Sequence, residues 1–379
     1  MFRTYTPIQT RDEFARIPLK IKFDKNITFA QLYDQIGDYV EAENYIKQAQ
    51  VVLDKLTKHY KLISTDYYFL DQIDQLKNTN LSVFASIYNH LDQFDKARKK
   101  YYTLIDMYEK YRDTLPKELK KSFFQGYSKD AYLGLIILEA KNHMASKKSI
   151  DFEALLNSID LFTSREFKEL TDNDNQIYIS VDDIQNKLAK KSAILSTIEV
   201  PMGIVFISIT KKNYDVKILK HNDLLSNINA MLKQEQPFNY KTYKAFSKWF
   251  LNGINLDKNI ENVSVLNRGK LATIPLEAIQ LDTDKFFGEK YTVSYLNLLQ
   301  VPNKTKSKFN NFLGVADPLY NNNKSIVSNS DSILQYFTQL PETADEVKDI
   351  SKLFKTSKLL LRDHCITTIT PIPSLNSNF

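Results

Sequence analysis

The chain of 379 residues contains a single cysteine, Cys365, and no apolar run that reaches the ~18 residues a membrane span requires. A lone thiol cannot form an intramolecular disulfide framework, which excludes the disulfide-rich secreted domains. Residues 1–20 are interrupted by charged side chains and have no continuous apolar core, so they do not resemble a signal peptide. We therefore expect a cytoplasmic protein that does not interact with membranes.

Glycine is also scarce, at 8 residues, and the sequence contains neither a glycine-rich phosphate loop nor a dinucleotide-binding fingerprint. The histidines have no partnered cysteines and no HExxH motif, which are the usual sources of metal ligands. We therefore predict no cofactor and no metal.

Charge of one sign is not concentrated either, because 51 basic residues are interleaved with 45 acidic ones and leave a net charge of +6. Nucleic-acid binding needs lysine and arginine gathered on one face, so a nucleic-acid partner is not expected. The 23 phenylalanines and 22 tyrosines recur mostly at helical spacing, which favours a core role over a base-stacking platform. The length predicts two or three domains.

Two N-terminal segments repeat one pattern, 55 residues apart from Phe29 to Phe84. FAQLYDQIGDYVEAENYIKQA (residues 29–49) aligns with FASIYNHLDQFDKARKKYYTL (residues 84–104). Small residues such as Ala30 and Ala42 let two antiparallel helices approach closely, and Gly37 suits the end of the first helix. The matched pairs predict a helix-turn-helix unit, twice: Phe29/Phe84, Ala30/Ala85, Tyr33/Tyr88, Tyr39/Phe94, Ala42/Ala97 and Ile46/Tyr101.

This pattern resembles tetratricopeptide repeats, although the second copy has Asp92 in place of the glycine and Leu104 in place of the last alanine. The spacing exceeds the usual ~34-residue period. Either the helices are longer than standard or a degenerate unit lies around residues 51–70. A third helical pair is expected within residues 127–162, and the array is predicted to span residues 1–175.

Stacked repeats form curved surfaces that bind a peptide or a protein partner. The helical phase of the first helix in each pair suggests which side chains line such a surface. The predicted partner-binding residues are Asn26, Gln31, Asp34, Asn80, Ser86 and Asn89.

After a polar run at residues 171–176, which predicts a linker, the period changes from helical to strand-like. Residues 204–210 and 214–219 predict a hairpin of two strands. Helices are expected at 221–234, 240–252 and 340–354, and further strands at 263–266, 292–296, 312–317 and 358–361. Strands separated by helices indicate an α/β domain with a mainly parallel sheet.

Four segments in order carry a second resemblance: residues 192–210, the Gly-x-Leu-x-x-x-Pro-x-Glu-Ala motif, ADPLY at 316–320 and LPETADEV at 340–347. The motif residues are Gly269, Leu271, Pro275, Glu277 and Ala278. Together these segments resemble the first part of a CHAT domain, a caspase-like cysteine peptidase module often found behind tetratricopeptide repeats. The resemblance covers about residues 180–365. It implies a non-catalytic part at 176–310 and the first strands and helix of a protease-like subdomain at 311–379.

The fold expected from both resemblances is α + α/β, with tetratricopeptide-like helices followed by an incomplete CHAT-like α/β domain. In that family a histidine and a later cysteine at two strand ends perform peptide hydrolysis. The chain ends before either position, so the resemblance implies a truncated bacterial family member without catalytic residues of its own.

The adjacent residues His364 and Cys365 do not fit the family's two positions. Neighbouring side chains on an extended segment point to opposite sides, so these two could not easily share a proton.

Two functions remain open at this point. The chain is related to cysteine endopeptidases regulated through the repeats, and another polypeptide could complete its sheet. Alternatively, it is a stand-alone scaffold that binds a protein or peptide partner.

Overall fold

The structure is a computed structural model that describes residues 7–63, 67–171, 179–201, 203–220, 223–233, 237, 239–282, 285–296, 311–318, 342–352, 354 and 356–362. Within these ranges, no helix combines the length and the apolar character that a membrane crossing requires. The chain divides into two compact units, residues 1–302 and 303–379. The second unit begins close to the predicted boundary at residue 311.

The first part of unit 1 is helical, with α1 (Pro7–Ile36), α2 (Tyr39–Ile63), α3 (Tyr67–His90), α4 (Phe94–Asp113), α5 (Lys117–Phe123), a π-helical turn (Phe124–Ser128), α6 (Lys129–Ser146), α7 (Ser149–Thr171) and α8 (Val181–Lys187). The 55-residue spacing comes from long helices, since α1 to α4 contain 30, 25, 24 and 20 residues. Because α2 continues through residues 51–63, no degenerate unit lies between the two copies.

The turns of the first two helix pairs have the same backbone geometry, although their sequences differ. Gly37 and Asp92 hold aligned positions with positive φ, at 84° and 54°. Aspartate tolerates this left-handed conformation better than most residues with a side chain. The hydrogen bonds of the two turns also correspond. In the first turn, Gly37 N–H donates to Asp34 O (3.2 Å) and Asp38 N–H donates to Tyr33 O (2.9 Å). In the second turn, Asp92 N–H donates to Asn89 O (3.3 Å) and Gln93 N–H donates to Tyr88 O (2.9 Å). The predicted pair of helix-turn-helix units is therefore confirmed.

Helix α6 lies at the centre of unit 1. Ten consecutive residues, Ala131–Ala140, are buried, so the helix is covered on every side. It packs against α7 to form the third helix pair, and it also contacts α3, α4 and strands of the sheet. A helix buried all round is the element that joins the layers of a domain.

The remainder of unit 1 contains β1 (Ser192–Val200), β2 (Gly203–Thr210), β3 (Tyr214–Lys220), α9 (Asp223–Leu232), α10 (Tyr240–Gly253), β4 (Asn262–Arg268), two 3-10 turns (Gly269–Thr273 and Leu276–Ala278), β5 (Gln280–Asp282), β6 (Lys285–Phe286), α11 (Phe287–Lys290) and β7 (Thr292–Tyr295). Five strands form one sheet in the order β3-β2-β1-β4-β7. Strands β5 and β6 form a separate antiparallel pair.

The prediction of a mainly parallel sheet is wrong, because the five-stranded sheet is mixed. Strands β1, β2 and β3 pair antiparallel, whereas β1–β4 and β4–β7 pair parallel. The short connections between the first three strands explain this, since a parallel pair needs a crossover of a dozen or more residues. Only the later strands are separated by helices.

The sheet is covered on both faces. One face carries Ile194, Ile198 and Ile207 and shares a core with the helix pairs, while Leu195 and Phe206 on the other face pack with Phe246 and Phe250 of α10. The layout of helices followed by an α/β part is thus confirmed. The predicted boundary at residue 175 separates two parts of one compact unit, and the predicted linker lies outside the described residues apart from Thr171, which still belongs to α7.

Unit 2 contains β8 (Asn311–Pro318), α12 (Glu342–Ser351) and β9 (Thr356–Arg362). The two strands are parallel, and α12 packs against both of them. This agrees with the strand-helix-strand order expected from the sequence. His364 and Cys365 lie outside the described residues.

The Gly-Lys turn after β4 requires glycine for two reasons. Gly269 has a φ of +75°, and a Cβ at this position would lie 2.5 Å from Glu199 Oε2. Glu199 in turn accepts a hydrogen bond from Lys270 N–H (2.8 Å). The turn is therefore joined to the end of β1 by a carboxylate that leaves no room for a side chain.

We predict that Gly269→Ala lowers the free energy of unfolding by about 1–3 kcal/mol, because it combines left-handed strain with a clash against Glu199. Gly126→Ala is the matched control, since a Cβ there would have no neighbour within 4 Å. Chemical denaturation followed by the fluorescence of Trp249, the only tryptophan, measures both variants. Equal stability of the two variants would contradict the assignment.

Burial of His143 makes the stability of unit 1 depend on pH. The ring is 3% exposed and packs against Phe152 and Tyr214, and Nδ1 lies 3.1 Å from Lys148 O. Burial is the main cause that lowers the pKa of His143 below 6.5, although Asp151 and Asp215 act in the opposite direction. The unfolded chain therefore binds the proton first as the pH falls.

We predict that the free energy of unfolding decreases as the pH drops below 6.5 and that this contribution levels off below the lowered pKa of the folded state. His143→Asn removes the titrating ring, so the variant should show a shallower decrease in this window than the parent protein. Denaturation curves from pH 8 to pH 5 measure the difference. Identical slopes in the two proteins would rule out His143 as the responsible group.

Candidate functional site

A groove of about 1000 Å³ lies among α1, α3, α4 and the segment formed by α5 and the π-helical turn. Its aromatic wall consists of Tyr108, Tyr111, Phe123 and Tyr127. Its polar wall consists of Gln31, Asp74, Gln75, Asn78, Thr79 and Ser82. Val83 and Met107 are the aliphatic side chains of the lining, and Lys110 completes it.

The aromatic wall is built around Phe123. Its ring centroid lies 6.0 Å from that of Tyr108, 5.2 Å from Tyr111 and 5.6 Å from Tyr127. Tyr111 is 45% exposed and Tyr127 is 70% exposed. A contiguous group of exposed rings is uncommon on a surface that binds nothing, because aromatic side chains are normally buried or sit in interfaces.

Local backbone structure brings Tyr127 to this wall. The residue lies in the π-helical turn between α5 and α6, and such single turns are frequent at functional sites. Helix α4 supplies Tyr108 and Tyr111, which are three residues apart and therefore share a helix face. The aromatic wall thus combines the C-terminal half of one helix with the segment that precedes the next.

The polar wall contains amides and hydroxyls but little uncompensated charge. Asp74 pairs with Lys77 at 2.7 Å, and Lys110 pairs with Asp106 at 2.7 Å. Asn78 Oδ1 is buried and accepts no hydrogen bond from any described residue. The lining therefore combines neutral hydrogen-bonding groups with aromatic rings.

The six residues predicted to bind a partner do not form one surface. Gln31 is exposed and lines the groove, while Asp34 and Ser86 are half-buried. Asn26, Asn80 and Asn89 are only 4%, 1% and 4% exposed. Helical phase alone did not separate the side of each helix that faces the groove from the side that faces a neighbouring helix. The role of these residues in partner binding stays a prediction.

The three buried asparagines nevertheless carry unmet hydrogen-bonding capacity. Asn26 Nδ2, Asn80 Oδ1 and Asn89 Oδ1 have no hydrogen-bond partner among the described residues. Asn80 uses its other amide atom, Nδ2, to donate to Gln50 Oε1 on α2 (2.5 Å). Together with Asn78 they place unsatisfied amide groups along α1 and α3.

Asp34 joins α1 to α3 through two side chains. Its Oδ1 lies 2.6 Å from His90 Nδ1, and its Oδ2 accepts a hydrogen bond from Ser86 Oγ (3.0 Å). The ring of Tyr39 stacks on His90 with a centroid separation of 5.0 Å. Because the carboxylate stands between serine and histidine, the imidazole does not reach the hydroxyl as a general base would. The cluster links two helices and does not form a hydrolytic triad.

The sequence prediction missed the aromatic wall, since its tyrosines show the same helical spacing as core aromatics. Tyr101 is 6% exposed, whereas its neighbour Tyr102 is 46% exposed, so residue type does not decide which rings are buried. One signal in the sequence could have indicated the wall. Two closely spaced aromatic pairs, Tyr108/Tyr111 and Phe123/Tyr127, lie on either side of Pro116.

No cluster of three or more histidine, cysteine, aspartate or glutamate side chains that could hold a metal ion occurs in the part of the chain that the structure describes. No protein-family model matches the sequence, and no curated protein is significantly similar to it. The resemblances to tetratricopeptide repeats and to CHAT domains therefore rest on the quoted sequence motifs.

Proposed function

We propose that the protein is a scaffold whose helix pairs bind a peptide segment of a partner protein in the groove. The observation that carries this proposal is the exposed aromatic wall, Tyr111 and Tyr127 above all, in a groove also lined by amides and hydroxyls. Interfaces concentrate their binding energy in such aromatic anchors. Stacked helix pairs of the tetratricopeptide type are well suited to this function.

The size and the charge of the groove are compatible with a peptide segment. Its volume of about 1000 Å³ lies at the upper end of the range of roughly 300–1,000 Å³ for small-molecule pockets. Its two charged side chains are each paired, which leaves no cationic cluster for a phosphate group. A neutral segment of several residues satisfies both constraints.

We predict that peptides selected from a random display library against the full chain lose about tenfold in affinity with Tyr127→Ala or Tyr111→Ala, because each change removes an exposed aromatic contact. Tyr102→Ala should leave the affinity unchanged, since Tyr102 is an equally exposed tyrosine of α4 outside the groove. Fluorescence anisotropy with the selected peptides gives the dissociation constants. Peptides that bind all three variants equally would show that the groove is not the binding site.

A second candidate function is a relationship to CHAT-type cysteine peptidases, with a partner polypeptide completing the protease sheet. The parallel strands β8 and β9 with α12 between them favour this candidate, as does the glycine turn at Gly269. In this second candidate function, the helix pairs bind the partner that regulates the peptidase. The chain itself would not catalyse hydrolysis, because its only thiol is Cys365 and the adjacent His364 is not a suitable base.

We predict that an active-site-directed thiol probe labels the chain no faster than simple iodoacetamide does. His364→Ala should not change the rate of labelling, since no imidazole activates the thiol. Mass spectrometry of the labelled protein locates the site, and a peptide-library digest tests for hydrolysis. Stoichiometric probe labelling of Cys365 that requires His364 would contradict the prediction.

A further inference from the structure

The groove supplies hydrogen-bond donors beside its aromatic faces. The hydroxyls of Tyr108, Tyr111 and Tyr127 have no hydrogen-bond partner within the described ranges. Burial, with a smaller contribution from Asp130, raises the pKa of Tyr108, so this phenol stays protonated and can donate. The amides of Gln31 and Asn78 on the polar wall add N–H donors.

Three common modes of peptide recognition do not fit this lining. A bound amphipathic helix satisfies its own backbone and needs an aliphatic groove, but among the described lining residues only Val83 and Met107 are aliphatic. Addition of a β-strand needs an exposed sheet edge, whereas every lining residue lies on a helix or on the π-helical turn. Recognition of a phosphorylated peptide needs a cluster of arginines, and the described part of the lining contains none.

Resting on the proposed function, we propose that the groove binds an uncharged, proline-containing segment of a partner protein in the polyproline II conformation. Such a segment leaves its carbonyl oxygens free, because polyproline II has no internal hydrogen bonds. The donors of Gln31, Asn78 and the tyrosine hydroxyls match these acceptors. Proline has no backbone N–H, so a proline residue places no hydrogen-bond donor against the donors of the groove.

The aromatic wall suits pyrrolidine rings as well. Aromatic-lined grooves are the usual receptors of proline-rich segments, and the preformed conformation reduces the entropy lost on binding. The rings of Tyr111, Phe123 and Tyr127 follow one another at 5.2 Å and 5.6 Å, which forms a continuous apolar strip. Asp74 and Lys110 each have an oppositely charged neighbour on their own helix. The lining therefore has no net charge that would favour a charged peptide.

The test uses the full chain and a fluorescein-labelled poly-L-proline decapeptide, compared with a Gly-Ser peptide, an alanine-based helical peptide and a phosphoserine peptide of equal length. We expect saturable binding of the proline peptide, at least about tenfold tighter than that of each comparison peptide. Tyr127→Ala should weaken it about tenfold, because the variant loses the most exposed ring of the strip. Tyr127→Phe should weaken it less than Tyr127→Ala does, because the ring remains and only the hydroxyl donor is lost, and Tyr102→Ala should not change it.

The outcomes separate this inference from the proposed function. If library-selected peptides lose affinity with Tyr127→Ala but show no preference for proline, the groove binds peptides and the polyproline inference is overturned. If no peptide of any class is sensitive to the groove variants, both are overturned. Circular dichroism verifies that each variant is folded, which is expected because Tyr127 is largely exposed.

Discussion

The ion pair between Arg98 and Glu139 holds the second helix pair against α6, the helix around which unit 1 is assembled. Glu139 is completely buried, and each of its carboxylate oxygens accepts a hydrogen bond from Arg98, from Nε at 2.7 Å and from Nη2 at 2.8 Å. A buried carboxylate without its partner would be strongly destabilising, so the pair favours the observed placement of α4 against α6. Gly134 allows that placement, because the ring of Tyr101 occupies the space where a Cβ would lie.

The position of the groove follows from this placement. Helix α4 carries Tyr108 and Tyr111, and the π-helical turn directly ahead of α6 carries Tyr127. Glu109, which lies between the two α4 tyrosines, is fixed from three sides: Tyr132 donates to its Oε1 (2.5 Å), and Arg112 and Arg165 lie 3.0 Å and 2.7 Å from its Oε2. The aromatic wall is therefore presented by a rigid frame, which limits the ordering cost of binding.

Local patterns in the sequence predicted the local structure correctly. They did not predict features that depend on tertiary packing. The spacing of small and aromatic residues gave the helix pairs, and even the substitution of Gly37 by Asp92 preserved the turn. The hairpin of residues 204–210 and 214–219 also followed from the sequence. The pairing of β1 with β2 and with β4, and the common core of helices and sheet, did not follow, because an apolar run such as residues 192–200 does not specify its neighbours. The groove was missed for the same reason, since Tyr101 and Tyr111 look alike until one is buried and the other is exposed.

If the groove binds a peptide as proposed, its two walls contribute differently to recognition. Exposed rings such as Tyr127 favour any apolar group that packs on them, so the aromatic wall supplies affinity with little selectivity. Asn78 Oδ1 is different, because a buried acceptor without a partner costs about 1–3 kcal/mol in the free protein. Because this atom is enclosed, a segment lying in the groove does not reach it, so the cost is the same in the free and the bound protein. Selectivity therefore has to come from the accessible donors of the polar wall, such as the exposed amide of Gln31.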